Sequence, residues 1–233
     1  MLKKLHPDAG IEAHLSSPED QNQLIVALRK SGDQIAEMLL SHPELESAWL
    51  SAMAHMESTA AYGIKKAICD ETPKIAIPSI LVHYSDELRH ARELLEMKRV
   101  QVASPAGLEL ERALCESAKN MTYGFFKHTT IQEVSAHTRY AGYVHAALTI
   151  EQIPFQMYAH FHLKTPAGFR KTAMTRILKD EYQHLSHGKS LYEQLERQHQ
   201  FPLDKIQTIE MELCLKLMGE MTAHINTYFS KAA

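Results

Sequence analysis

Charge of one sign never accumulates in this chain: 25 Lys and Arg stand against 28 Asp and Glu in 233 residues, a net charge of −3, with no basic tract. The broad positive surface that neutralises phosphates is missing, so the balance argues against nucleic acid as a partner. Cysteine is scarce as well. Cys69, Cys115 and Cys214 lie far apart with no Cys-x-x-Cys, which excludes a self-contained zinc knuckle or rubredoxin-type centre and provides no disulfide framework. No run approaches about 18 uncharged apolar residues, and the opening Met1-Leu-Lys-Lys-Leu-His-Pro-Asp8 has no apolar signal region. The expectation is a chain with no membrane segment, in a reducing, cytoplasmic compartment. No Gly-x-Gly-x-x-Gly or other cofactor fingerprint occurs, and no window alternates with a period of two between turn signals.

Helical periodicity is abundant, and apolar types at 45% with charged types at 23% suffice for a sizeable core. The fold expected is all-α. Helices are predicted over about 18–41, with Ser17 as N-cap and Pro18 at the first position, then about 44–69, and about 74–100 with Pro78 in its first turns. Further helices are predicted over about 105–128 from Ser104-Pro105, about 130–164, about 166–198 from Thr165-Pro166, and about 203–229.

Four of these helices carry an acid where the periodicity calls for an apolar residue. Glu57 lies among Leu50, Met53, Ala54, Ala61 and Ile64, and Glu87 among Ala76, Ile80, Ala91 and Leu94. Glu151 lies among Val144, Ala147, Leu148 and Phe155, and Glu181 among Met174, Ile177, Leu178 and Leu191. Pro154, three residues past Glu151, is expected to kink that helix or to free the carbonyl of Ile150.

Two of the acids are followed by histidine at i+3, giving Glu87-x-x-His90 and Glu181-x-x-His184. Residues at that spacing share a helix face. Composition alone (21 glutamates, 15 histidines) predicts roughly one Glu-x-x-His by chance, and the chain has three. The third, Glu196 with His199, sits at a polar helix end and has Pro166 thirty residues upstream. The other two belong to a repeat, because Glu57 to Glu87 and Glu151 to Glu181 are both 30 residues. Four carboxylates in apolar faces cost several kcal/mol each unless neutralised, and they repel one another. Two divalent cations would balance them, and a donor set of carboxylate and imidazole without thiolate suits iron or manganese.

This pattern resembles the ferritin-like di-iron carboxylate bundles, which have one Glu on each of two helices and Glu-x-x-His on the other two. The resemblance covers about residues 45–195 of what reads as a single ferritin-like domain, 1–233. It implies a four-helix bundle with flanking helices at about 18–41 and 203–229, holding two iron ions, with manganese or a mixed pair as variants. The implied ligands are Glu57, Glu87, His90, Glu151, Glu181 and His184, with Glu87 and Glu181 bridging. Asp86-Glu87-Leu88-Arg89-His90 also looks like the Asp-Glu-x-Arg-His element of bacterial di-iron monooxygenases, where Asp and Arg support the ligands. Asp180-Glu181-Tyr182-Gln183-His184 keeps the Asp but has Gln183 in place of Arg. Either Asp86 or Asp180 could accept the free N–H of an imidazole, within its own helix or across the bundle. The segment from Lys179 to Gly188 is similar to the last metal helix of aldehyde-deformylating oxygenases.

The resemblance implies an oxygenase or hydroxylase that uses O2 on a small apolar or partly apolar organic substrate, with electrons from a separate donor. A ferroxidase or iron-handling protein in a symmetric shell is the alternative, and a non-catalytic helical interaction protein stands last. A homo-oligomer is left open. Ferritin-type shells usually lack the second histidine, and a rubrerythrin-like peroxidase would need the missing cysteine centre. Tyr84 and Tyr158 share faces with Glu87 and Glu151, which suits an electron relay or an orienting role, though most such tyrosines are core residues. His55, His83 and His187 also lie near the ligands. A lone helical histidine is more often a hydrogen-bonded bystander, and all three are set aside.

Overall fold

The computed structural model describes residues 23–70, 72–127, 140–144, 152–196 and 203–232. Among these residues the chain is all-helical, with α1 at Gln23–Ser41, α2 at Pro43–Lys66, α3 at Ile77–Glu96 and α4 at Pro105–Lys127. Residues 140–144 are also helical, followed by α5 at Gln152–Lys164, α6 at Phe169–Glu196 and α7 at Leu203–Ala232. None of these helices is long and apolar enough to cross a membrane. Cys69, Cys115 and Cys214 form no disulfide with one another.

Local chemistry explains the helix ends. His42 is extended (φ −133°, ψ 106°) and Pro43 follows inside the first turn of α2, where its fixed φ suits the helix and its missing N–H costs no bond. Glu44 and Glu46 at that end and Lys65 and Lys66 at the other complement the helix dipole. Pro78 is tolerated in the first turn of α3 for the same reason as Pro43. At the start of α4, Ser104 Oγ accepts the Gly107 N–H at 2.9 Å, while the Glu44 carboxylate accepts the N–H groups of Ala103 and Ser104. A side chain at Gly107 would place its Cβ 2.5 Å from that carboxylate, which would then have to shift.

The expected start of the sixth helix at Pro166 needs correcting to Phe169. Thr165 closes α5 instead, its N–H and hydroxyl both donating to the Phe161 carbonyl, and Gly168 turns the chain at φ +143° before Thr172 bonds back to it. Ser17 and Pro18 lie outside the described residues. So does Ile150, whose carbonyl Pro154 was expected to free.

Helix α2 packs against α3 and α4 and touches α1, while α7 lies against α4 and α1, α1 against α5, and α5 against α6. The flanking helices share one core with the rest: Ile35 and Leu39 of α1 and Leu217, Met221 and Ile225 of α7 join Trp49, Leu50 and Met53. Full burial of such side chains stabilises by about 1.5–3 kcal/mol each. A second, smaller apolar cluster contains Ile64, Ile80, Tyr140, Tyr143, Val144 and Leu191. Between the two clusters, at the level of Glu57, Glu87 and Glu181, the interior is polar, and there α3 meets α6.

Candidate metal centre

Each half of the polar layer is built by one helical turn. On α3, Glu87 and His90 share a face and are both fully buried, and on α6 Glu181 and His184 do the same, fully and almost fully. His90 Nδ1 lies 3.5 Å from Glu87 Oε2 and 3.0 Å from Glu181 Oε1. His184 Nδ1 lies 3.5 Å from Glu181 Oε2 and 3.2 Å from Glu87 Oε1. Each carboxylate thus faces both imidazoles. Glu57 enters from α2, and its carboxyl accepts a hydrogen bond from the buried Tyr158 hydroxyl of α5.

The outer nitrogens are held crosswise. His184 Nε2 lies 3.4 Å from Asp86 Oδ2, and His90 Nε2 lies 3.5 Å from Asp180 Oδ2, so each helix's aspartate serves the other helix's histidine. Arg89 Nη2 donates to Asp86 at 2.7 Å and to Asp180 at 2.8 Å. One guanidinium orients both carboxylates, which leaves Gln183, at the matching position of α6, exposed with no such duty. Glu93 extends the link, pairing with Arg89 at 3.4 Å and with Arg176 of α6 at 2.9 Å.

Both oxygens of Glu87, both of Glu181, and Nδ1 of His90 and His184 are buried, and none has a hydrogen bond of proper geometry. Unsatisfied buried polar atoms are rare because each costs about 1–3 kcal/mol, more when charged. Six of them converging at 3.0–3.5 Å form a donor set that an ion would complete. One donor each from Glu57, Glu87, His90 and Glu181 lies within 4.8 Å of the others, and the same holds for His83, Glu87 and His184. The buried cluster could hold a metal ion, and its oxygen and nitrogen donors, free of thiolate, fit iron or manganese.

Protons share the neutralising role in the protein alone. Burial, with the charges of Glu87 and Glu181, pushes the Glu57 carboxyl well above its ordinary range. Burial acts upward on Glu87 too, but the imidazoles of His184, His83 and His90 outweigh it and hold that carboxyl well below its ordinary range. Burial disfavours the charged rings of His90 and His184, yet Glu181, Asp180 and Glu87 around the first, and Asp86, Glu181 and Glu87 around the second, raise both. Asp86 is lowered to about 2 by His184 and Arg89, against its desolvation. Burial and the neighbouring Glu57 hold the Tyr158 hydroxyl firmly protonated.

Of the residues singled out in the sequence, Glu57, Glu87, His90, Glu181 and His184 come together in this cluster, with Asp86, Arg89 and Asp180 behind the histidines and Tyr158 on Glu57. Glu151 lies outside the described residues. Tyr84 is half-buried away from the cluster, packed beside the smaller apolar cluster with the Lys65 ammonium 5.8 Å from its ring centroid. His55 is exposed and His187 half-buried. His83, set aside on sequence grounds, is brought in: its Nε2 lies 3.1 Å from Glu87 Oε1. The available signal was its position one turn before Glu87 on the same face.

Compared with protein-family models, with curated proteins and with solved structures, the chain matches none.

Proposed function

We propose that the chain is a ferritin-like, non-haem di-iron oxidoreductase that uses O2 to oxidise or hydroxylate an organic substrate. The observation that carries the reading is the convergence of six unsatisfied donor atoms from two Glu-x-x-His turns, related by a 30-residue repeat. Iron, when bound, supplies the redox chemistry that these side chains lack. Glu57, Glu87, His90, Glu181 and His184 would hold the irons, Glu87 and Glu181 each facing both histidines, and Glu151 would complete the set.

The rest of the chain orients and protects those donors. Asp86 and Asp180 turn the inner nitrogens of His184 and His90 toward the carboxylates, and Arg89 keeps both aspartates in place. Tyr158 fixes the Glu57 carboxyl and holds a proton at its hydroxyl beside the site. The two apolar clusters exclude water on both sides. Electrons would come from an external donor, and the setting is cytoplasmic.

The test is anaerobic loading with Fe(II), an iron count, and the optical spectrum after O2 is added, for the wild type and Glu181→Ala. About two irons per chain, with an absorption change that the variant loses, is expected. Uptake of many irons per chain with rapid oxidation would favour the ferroxidase reading. Uptake well below one iron, unaffected by the substitution, would overturn both.

A further inference from the structure

The two Glu-x-x-His turns match in Glu, His and the preceding Asp, but they part company one turn upstream. Four residues before Glu181 stands Ile177, fully buried in the large apolar cluster, whereas four residues before Glu87 stands His83. His83 is 3% exposed, and its ring centroid lies 3.9 Å from that of His184. Its Nδ1 meets the Tyr143 hydroxyl at 3.0 Å, and its Nε2 faces Glu87 Oε1 at 3.1 Å. Donor atoms of His83, Glu87 and His184 all lie within 4.8 Å of one another. Ligating histidines have this arrangement: one nitrogen turned to the ion's other ligands, the second held by an orienting partner.

We propose that His83 is a third histidine ligand of the metal pair, binding through Nε2 the same metal as His184 and Glu87, with Tyr143 as its positioning residue. The proposal rests on the di-metal reading and makes the two metals unequal. One would have His90 as its nitrogen donor, with Glu57, Glu87 and Glu181 beside it. The other would have two imidazoles, which add donors without adding negative charge.

The experiment loads the full chain anaerobically with 57Fe(II) and records Mössbauer spectra and iron-binding isotherms for the wild type, His83→Ala, His83→Gln and Tyr143→Phe. The wild type should give two distinct ferrous doublets of equal area. His83→Ala should shift one doublet and weaken that iron by more than about tenfold, leaving the other unchanged, and added imidazole should restore it. His83→Gln fills the buried volume and keeps an N–H donor for Glu87, so it tests the proposal even where the alanine variant unfolds. It should still shift the same doublet. Tyr143→Phe should weaken the same iron to a smaller extent. Wild-type spectra and affinities in His83→Gln would overturn the proposal and leave His83 as a hydrogen-bond donor to Glu87. A wild-type chain that takes up no iron would overturn the di-metal reading itself, and this proposal with it.

Discussion

Helices α3 and α6 carry the same five-position pattern, Asp-Glu-x-x-His, and the cluster treats the two nearly alike. Each histidine turns Nδ1 inward to Glu87 and Glu181, and each turns Nε2 outward to the aspartate of the opposite helix. The differences lie around that pattern. Arg89 on α3 supports both aspartates, so Gln183 on α6 is left exposed, and His83 on α3 joins the cluster where α6 has Ile177 in the core. The Glu and His whose inner atoms converge occur in both copies, whereas the guanidinium placed between the helices serves both and occurs only once.

The largest effect concerns what the two copies share. With His90 and His184 held protonated and Glu57 held neutral, metal binding has to expel those protons. Calorimetric titration in buffers of different ionisation enthalpy should count the protons released near pH 7, with affinity rising as pH rises. His90→Ala and His184→Ala should each remove about one proton from that count. Unequal effects of the two variants would break the equivalence of the halves.

A smaller effect should expose the asymmetry of support. Arg89→Gln, which makes α3 like α6, removes the donor shared by Asp86 and Asp180, and thermal unfolding of the metal-free protein should show a loss of about 1–3 kcal/mol. Gln183→Arg, on an exposed position, should stay within about 0.5 kcal/mol of wild type. Equal losses in the two variants would show that the guanidinium is not shared.

The smallest effect is in acid. Asp86 titrates at about 2 in the folded chain against an ordinary 3.8, so the unfolded chain takes up its proton first. The stability contributed by this lowered carboxyl is complete above about pH 4 and is lost as pH falls toward 2. Urea unfolding of Asp86→Asn across that range should show a flatter pH dependence than wild type, and Asp180→Asn, also lowered in the fold, should follow the same direction. A slope unchanged by either substitution would remove the aspartates from the ion-pair network.

Much of the helical layout was legible because burial follows helical period. Every residue read onto the α2 face, from Leu50 through Glu57 to Ile64, is buried, as is the α3 face from Ala76 to Leu94. Local capping was less legible. Thr165-Pro166 reads as a helix start, but the hydroxyl of Thr165 is used to end α5, and the turn through Gly168 moves the start to Phe169. The place of His83 one turn before Glu87 was visible but did not decide its role, since one imidazole on an apolar face looks the same whether its neighbour is a lone carboxylate or a pair of ligands.

The sequence by itself determined the helices and which side chains share a face, since a period near 3.6 is a property of the backbone and needs no partner. It also determined that the acids on those faces needed neutralising, because the cost of burying charge depends on surroundings the apolar stripes already announced. Only the tertiary structure decided that each aspartate reaches the histidine of the other helix, that Arg89 serves both, and that His83 lies against Glu87 and His184. Those contacts join helices some ninety residues apart in the chain, and which side chains meet across them depends on how α3 and α6 approach, which no local periodicity encodes.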